Sequence, residues 1–348
     1  MTTSLAPTDE SIAKWTRVAE RLLGVEGVTL ENIDGGRNSR VYHLTGPSGG
    51  YCFKTYFRHV SDARDRMDTE YSALRFLWDN GESCVPEPVA ASAEDDCAIY
   101  EWIDGERIEE PTAADITAAA KFIARLHRLK NRPGADRLRP ASEACFSGAE
   151  LVACLRRRLE PLAAREDPAE LVSFIKHELV PTLETVCVRS RMMLAAVYDQ
   201  ELPREHRTLS PSDFGFHNAL RRRDGGVVFL DLEYFGWDDP VKLICDFMMH
   251  PGMKVPADLK CAFASTVLRE FPETVDRFEA LFPLYGLKWC MILLNEFLPE
   301  HLARRRFAGM PDIEIAQRQI IQLEKARNML RLVAESSPFP YGNKDRTH

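Results

Sequence analysis

The arrangement of short and long apolar runs constrains the fold of this chain most strongly. Between residues 28 and 102 the apolar runs are short, and Gly-rich turns such as Asp34-Gly-Gly36 separate them. Runs of this length between such turns predict an antiparallel meander of β-strands. Residues 61–80 differ, because Met67 and Leu74 stand at helical spacing and predict one helix within the meander.

Beyond this region the apolar residues recur with the period of an α-helix through most of the chain. Thr112 and Asp115 precede one such segment with the spacing of a capping box. The sequence therefore predicts an α+β protein with two lobes. Residues 1–104 form the small β-rich N-terminal lobe, which opens with a helix over residues 8–23, and residues 105–348 form the larger helical C-terminal lobe.

Three polar side chains in the helical part have the spacing of a phosphotransfer site. Asp213 and Asn218 lie in the segment 210–218, and Asp231 ends an apolar run. The segment 219–233 reads as strand, Gly-rich turn and strand, a hairpin that would return Asp231 beside Asn218. A carboxylate can orient an attacking hydroxyl, while an amide oxygen and a second carboxylate suit Mg²⁺ on a nucleotide phosphate. We therefore expect Asp213 to be the catalytic residue and Asn218 and Asp231 to bind the metal.

A Gly-rich turn in the β-rich part is a candidate phosphate-binding loop. Gly35 and Gly36, followed by Asn38 and Ser39, would let backbone amides approach phosphates closely, because glycine adds no side-chain bulk. No G-K-[ST] follows, so the turn is not a Walker A loop. A plain hairpin turn is the alternative interpretation of the two glycines.

A lysine and a glutamate complete the predicted nucleotide clamp. Lys54 interrupts an otherwise apolar or aromatic strand, and a buried lysine is costly without a counter-charge. Glu70 in the following helix is the expected partner, and the pair would hold the ammonium against the α- and β-phosphates. The alternative for Lys54 is an edge-strand position at which its stem covers the lobe.

The predicted strand over Cys97 to Trp102 runs into a turn at the junction of the lobes. Backbone groups of Glu101 and Ile103 would pair there with an adenine edge, and Ile99 and Trp102 would flank the pocket. We therefore expect this strand to bind the base of ATP.

Net charge limits the classes of partner that the chain can bind, and cysteine usage indicates its compartment. The formal net charge is −8 and the sequence pI is about 5.7, which argues against nucleic acid or an anionic membrane surface as a partner. Nine cysteines without a C-x-x-C pair are typical of a reducing compartment. No run approaches the roughly 20 apolar residues that span a bilayer, and the first residues lack an apolar signal core. We expect a cytoplasmic protein whose partner is a small molecule.

The order of these features resembles the aminoglycoside phosphotransferase and choline-kinase-like family of the protein-kinase-like fold. The Leu126-His-Arg-Leu129 helix end and the Asp238-Asp-Pro240 segment with Asp246 are similar to that family too, so the resemblance covers about residues 30–250. It implies a bilobal protein-kinase-like fold, ATP and Mg²⁺ as cofactors, and a structural role for Asp246. It also implies the roles already expected for the clamp, the catalytic base and the metal ligands.

The catalytic loop departs from the family pattern H-G-D-x-H-x-x-N. Pro211 and Ser212 replace the first His and the Gly, Gly215 occupies the second His position, and His217 is displaced by two residues. These departures place the chain in an atypical subgroup. Glu233 matches a second acidic position of many members, where an outer metal shell and a salt bridge are equal alternatives.

The predicted function is an ATP-dependent kinase that phosphorylates a hydroxyl of a sugar, an amino sugar or aminoglycoside, or an amino alcohol. A catalytically silent nucleotide-binding or scaffolding protein on the same fold is the alternative. Carboxylates are available for a cationic acceptor, but the sequence favours no acceptor class; they are Glu233, Asp238, Asp239, Glu296 and Glu300.

Overall fold

The structure is a computed structural model that describes residues 9–33, 39–57, 64–307 and 310–335. Within them the chain forms two compact units. One unit takes the described residues within 1–142, 209–237 and 252–255, and the other takes the described residues within 143–208, 238–251 and 256–348. The predicted lobe boundary after residue 104 rests on composition and stays a prediction.

A five-stranded antiparallel sheet forms the first part of the chain, as predicted. Its strands in spatial order are β1 (Thr29–Ile33), β2 (Ser39–Gly46), β3 (Gly49–Tyr56), β5 (Cys97–Glu101) and β4 (Pro88–Ser92). Helix α1 (Asp9–Leu23) precedes the sheet, and helix α2 (Arg66–Asp79) follows β3. The turn between β2 and β3 is tight, because the two strands pair as far as Gly46 and Gly49.

The two faces of this sheet carry different side chains. Phe53 and Ile99 lie opposite each other on β3 and β5 and join a buried apolar cluster with Val18 and Ala19 of α1. Successive side chains of a strand alternate between faces. Lys54 therefore lies on the other face of β3.

The same unit contains the elements that carry the predicted catalytic loop. Helix α3 (Ala113–Leu129) begins with the predicted capping box, in which Thr112 and Asp115 exchange hydrogen bonds. Strand β6 (Glu106–Arg107) pairs with β8 (Ala219–Arg221), and β8 pairs with β9 (Val227–Phe229). Strand β7 (Thr208–Ser210) pairs with β10 (Gly236–Asp238).

The other unit is helical. Its helices are α4 (Gly148–Ala163), α5 (Ala169–Phe174), α6 (Val180–Leu194), α7 (Pro240–Met249), α8 (Ala257–Leu268), α9 (Val275–Leu293), α10 (Pro299–Phe307) and α11 (Asp312–Glu335). Helix α9 is almost wholly buried and packs against α4, α6, α7 and α11. A π-helical turn, Ile175–Leu179, lies between α5 and α6. No helix in the described ranges is long and apolar enough to cross a membrane.

Candidate active site

Lys54 is the centre of the predicted clamp. Its side chain is only 7% exposed, and Nζ donates to Glu70 Oε2 at 2.7 Å and to Asp231 Oδ1 at 2.6 Å. Burial alone would lower the pKa of the ammonium, but the carboxylates of Asp231 and Glu70 outweigh it and raise that pKa well above its ordinary value. The lysine is therefore a fixed cation, and it is not the edge-strand residue of the alternative interpretation.

Glu70, on α2, has both carboxylate oxygens engaged. Oε2 also accepts from the Tyr56 hydroxyl at 2.7 Å, and Oε1 accepts from the Leu232 N–H at 3.2 Å. The Tyr56 hydroxyl lies 2.7 Å from that of Tyr100. Sequence reasoning assigned no role to these two tyrosines. The alternation of β3 gives a signal for Tyr56, because positions 54 and 56 share one face.

The loop before Asp213 is a tight turn with a strained residue. Asp213 N–H donates to Pro211 O at 2.9 Å, and Ser212 between them has a φ of +67°. A non-glycine residue in that region costs about 1–3 kcal/mol and persists where its surroundings hold it. Ser212 Oγ donates to Ser142 O at 3.1 Å, and the Ser212 N–H donates to Ser210 Oγ at 3.0 Å. These bonds hold the turn that presents Asp213.

An aromatic cluster anchors the next residue of the loop. The Phe214 ring lies 5.1 Å from the Phe229 ring of β9 and 6.0 Å from the Phe122 ring of α3. All three rings are buried. The position of Asp213 is thus fixed on both sides, by the turn and by this apolar anchor.

Asn218 is oriented by Asp213. Its Nδ2 donates to the Asp213 backbone carbonyl at 3.1 Å and lies 3.4 Å from Asp213 Oδ2. Only the amide nitrogen can donate to these two oxygens. The assignment leaves Asn218 Oδ1 as the oxygen that could face a cation, and the role of Asn218 as a metal ligand stays a prediction.

The predicted hairpin forms between Asn218 and Asp231. Ala219 pairs with Phe229, and the Leu230 N–H donates to Asn218 O at 2.8 Å. Asp231 follows with a φ of +61°, a second left-handed non-glycine residue. Lys54 donates to Oδ1 of Asp231, and the Asp231 side chain is 39% exposed.

Glu233 makes a salt bridge, which was one of its two predicted alternatives. Its Oε1 lies 3.6 Å from Nε of Arg66, and both side chains are buried. One carboxylate oxygen from each of Glu70, Asp231 and Glu233 lies within 4.8 Å of the other two. Hard oxygen donors at this separation fit a divalent cation of the Mg²⁺ class. Lys54, Tyr56 and Leu232 already donate to the two oxygens of Glu70. Asp231 is therefore a better candidate than Glu70 for a ligand of the cation.

The remaining predicted nucleotide residues divide into three groups. Gly35, Gly36 and Asn38 lie outside the described residues, while Ser39 is buried at the start of β2. The Glu101 carboxylate accepts from Arg222 at 2.9 Å, and its backbone N–H donates to Glu87 O. The Ile103 side chain is buried beyond the end of β5.

Two residues expected to flank the nucleotide pocket, Ile99 of β5 and Trp102 just after it, differ from expectation. Ile99 does not flank a pocket beside Lys54, because it packs in the apolar cluster on the opposite face of the sheet. The ring of Trp102 packs 4.0 Å from that of His43, and its Nε1 donates to Asp104.

In the helical unit, the carboxylates considered for a cationic acceptor already have internal partners. Asp238 and Asp239 are fully buried; Asp238 pairs with Lys242 at 2.7 Å, and Asp239 pairs with Arg277 at 2.7 Å. Burial raises the pKa of Asp238 to about 6, although Lys242 opposes this. Sequence reasoning missed these ion pairs because their partners are distant or lie on an unpredicted helix.

The two other carboxylates considered for an acceptor, and Asp246, also make contacts within this unit. Glu296 pairs with Arg305 at 2.6 Å, and Glu300 lies 3.7 Å from His301. Asp246 accepts from Trp289 Nε1 at 3.0 Å and pairs with Lys242 at 3.3 Å, so its contacts are those of a structural residue.

Comparison with known proteins gives a family match and a set of structural neighbours. A family model described as "Phosphotransferase enzyme family" matches residues 29–281. No curated protein matches the chain.

Solved structures resemble the chain over nearly its whole length. Spectinomycin phosphotransferase, solved with ADP and spectinomycin, is 13% identical with a TM-score of 0.62, covering 91% of this chain and 98% of its own. A choline/ethanolamine kinase family protein from Mesorhizobium loti is 18% identical with a TM-score of 0.59 and coverage of 92% and 94%. Ethanolamine kinase from Plasmodium vivax is 13% identical with a TM-score of 0.58 and coverage of 94% and 93%. At such identity the likeness shows the fold, and it confirms the predicted protein-kinase-like α+β class.

Proposed function

Since the chain belongs to the phosphotransferase enzyme family, as an atypical member in its catalytic loop, we propose that it transfers the γ-phosphoryl group of ATP to a hydroxyl of a small molecule. The carrying observation is the contact of Lys54 with both Glu70 and Asp231, at 2.7 and 2.6 Å. It joins the predicted phosphate clamp to the predicted metal ligand in one hydrogen-bonded network. The acceptor is a sugar, an amino sugar or aminoglycoside, or an amino alcohol.

In the proposed reaction Asp213 orients the acceptor hydroxyl and receives its proton. The acceptor oxygen forms a bond to the γ-phosphorus while the bond from that phosphorus to the bridging oxygen breaks, and the electron pair leaves with ADP. Lys54 holds the α- and β-phosphates, and Glu70 holds Lys54. Asp231 and Asn218 would bind Mg²⁺, which when bound neutralises phosphate charge.

The nucleotide site is inferred from the strand and loop residues that the sequence singled out. Backbone groups of Glu101 and Ile103 would meet the adenine edge, and Ser39 with Gly35, Gly36 and Asn38 would cover the phosphates. Solved structures of similar fold contain ADP, AMP or AMP-PNP, which supports nucleotide binding as part of the proposed function. The nine cysteines are all free, which fits a reducing compartment, and we infer a cytoplasmic enzyme.

The structural neighbours support the proposed acceptor classes. Some of these structures contain spectinomycin, streptomycin or hygromycin B, and choline and ethanolamine kinases occur among them. The internal ion pairs of Asp238, Asp239 and Glu296 remove three carboxylates that a cationic acceptor could have used. We therefore give neutral sugars the same weight as amino compounds.

The test is ADP release from Mg²⁺-ATP with a panel of sugars, amino sugars, aminoglycosides, choline and ethanolamine, in wild type and Asp213→Ala. We expect acceptor-dependent release in wild type and a loss of about 10²–10⁴-fold in the variant, the size of a general-base contribution. Binding of Mg²⁺-ATP is measured on both proteins by calorimetry and is expected to be similar.

The outcomes separate the alternatives. A near-normal rate in Asp213→Ala would contradict the assignment of the base. Nucleotide binding with no transfer to any acceptor would favour the silent nucleotide-binding protein. Absence of nucleotide binding would refute the proposed function as a whole.

A further inference from the structure

The catalytic loop contains a histidine that the family pattern does not place. His217 follows Asp213 by four residues, and its Nε2 lies 3.0 Å from Asp213 Oδ1. An ionised carboxylate only accepts hydrogen bonds, so Nε2 must carry the hydrogen in this contact. His217 is therefore a donor to the proposed catalytic base.

Gly215 makes this contact sterically possible. Its φ of 164° is extended backbone that any residue adopts, so conformation does not require glycine here. Space does: a Cβ at this position would lie 2.9 Å from His217 Nδ1 and 2.3 Å from Met253 Sδ. Met253 is itself held, because its sulfur accepts from the Phe216 N–H at 3.1 Å. The absent side chain at 215 and the displaced His217 thus form one arrangement.

The Asp213 carboxylate needs such a restraint. Its side chain is 36% exposed, and the terminal torsion of aspartate has a broad, two-fold energy profile that does not fix the carboxylate plane. A hydrogen bond from His217 to Oδ1, together with Asn218 Nδ2 on the side of Oδ2, fixes that plane.

We propose that His217 is a positioning residue for the phosphotransfer reaction. It orients the Asp213 carboxylate from position 217, whereas the two positions at which the family pattern places a histidine are here Pro211 and Gly215. Its Nε2–H fixes the Asp213 carboxylate so that Oδ2 receives the acceptor's proton. The inference rests on the proposed function, because it assigns Asp213 as the base. Gly215 is the second element, which provides the space that His217 occupies.

The kinetic test compares His217→Ala, His217→Gln and Gly215→Ala with wild type, using an acceptor that the panel identifies. We expect His217→Ala to lower kcat about 10- to 100-fold, the value of one hydrogen bond to a charged group, with the KM for Mg²⁺-ATP unchanged. His217→Gln, which keeps an N–H donor of similar reach, restores most of the rate. Gly215→Ala lowers kcat by displacing the ring, and only part of its cost disappears when His217 is already Ala, because the added Cβ also meets Met253 Sδ.

The matched control is His206→Ala. His206 Nδ1 lies 3.4 Å from Glu273 Oε1 in the helical unit. The substitution therefore removes a histidine–carboxylate contact outside the proposed site. We expect wild-type kcat. Wild-type kcat in His217→Ala would overturn the proposal. So would equal losses in the Ala and Gln variants with lowered melting temperatures, because that pattern indicates a purely structural histidine.

An acceptor-independent measurement keeps the inference separate from the proposed function. Long-range ¹H–¹⁵N spectra of the histidine rings report the tautomer, and His217→Gln identifies the signal. We expect hydrogen on Nε2 in wild type and a changed signal in Asp213→Ala. A neutral ring with hydrogen only on Nδ1 would overturn the inference even where transfer is found. The expected spectrum without transfer to any acceptor would contradict the proposed function and its positioning role, although the contact itself would stand.

Discussion

Replacing Tyr56 by Phe tests the buried network behind the clamp with the loss of one oxygen. The Tyr56 hydroxyl donates to Glu70, so the Tyr100 hydroxyl must be the donor in the 2.7 Å contact between the tyrosines. Burial and the nearby Glu70 carboxylate raise the pKa of Tyr56 well above its ordinary value, which keeps it a donor at all working pH values. The ring, 5.1 Å from Lys54 Nζ, remains in the variant.

The magnitude follows from what each variant leaves behind. Tyr56→Phe removes a bond to a charged acceptor, about 1.5–3 kcal/mol, and leaves the buried Tyr100 hydroxyl without its acceptor, so we expect a loss near 3 kcal/mol. Tyr100→Phe removes one neutral bond and costs about 1 kcal/mol. The double variant has no orphaned hydroxyl and costs about 2 kcal/mol, less than Tyr56→Phe alone.

The assay is urea unfolding at pH 7 for the three variants, with m-values compared to confirm the same unfolding reaction. Tyr71→Phe is the control, because its ring packs near Tyr100 (6.4 Å between centroids) without a role in the network. Additive losses in the double variant would refute the reasoning, since they would mean that the two hydroxyls do not depend on each other.

Two further predictions concern backbone strain and pH. At Ser212, where φ is +67°, we expect Ser212→Gly to be about 1 kcal/mol more stable than Ser212→Ala, because both variants lose the hydroxyl and only alanine keeps the left-handed strain. Urea unfolding of the two variants checks this, and equal stabilities would contradict it. At Glu143, burial alone would raise the pKa of the carboxyl, but Lys288 and Arg158 lower that pKa to about 2 from an ordinary 4.5. The ionised carboxylate therefore stabilises the fold fully above pH 4.5, and this stabilisation is lost as the pH falls toward 2. Unfolding at pH 6 and pH 3 should therefore show a smaller pH-dependent loss in Glu143→Gln than in wild type, and equal losses would contradict the low pKa.

The sheet, most helices and the hairpin could be predicted because local patterns determine them. Lys54 stands out as a lone charge in an apolar strand, and the carboxylate that meets it lies on the next helix, so burial and charge balance suffice to pair them. The Asp224-Gly-Gly turn fixes the hairpin that aligns Asn218 with Leu230.

The parts that escaped prediction depend on contacts between distant residues. Helix α7 (Pro240–Met249) is only ten residues long and is buried along nearly its whole length, including Lys242 and Asp246, so its charged residues do not mark an exposed face. The pairing of Asp239 with Arg277 joins positions 38 residues apart, and no local pattern indicates it. An acidic residue in a sequence therefore appears available to a ligand until its internal partner is known.

The departures of the catalytic loop are better explained by a retained function than by its decay. Ser212 and Asp231 both keep left-handed backbone conformations, at a cost of about 1–3 kcal/mol each. A protein that only binds nucleotide has no use for a strained turn that presents a carboxylate, and substitutions that relax it would stabilise the fold. The four changed loop positions are also mutually consistent: Pro211 accepts the turn bond of Asp213, Ser212 is tied to Ser142, and Gly215 leaves room for His217. These contacts all bear on the position of the Asp213 carboxylate, which supports its proposed role as the base.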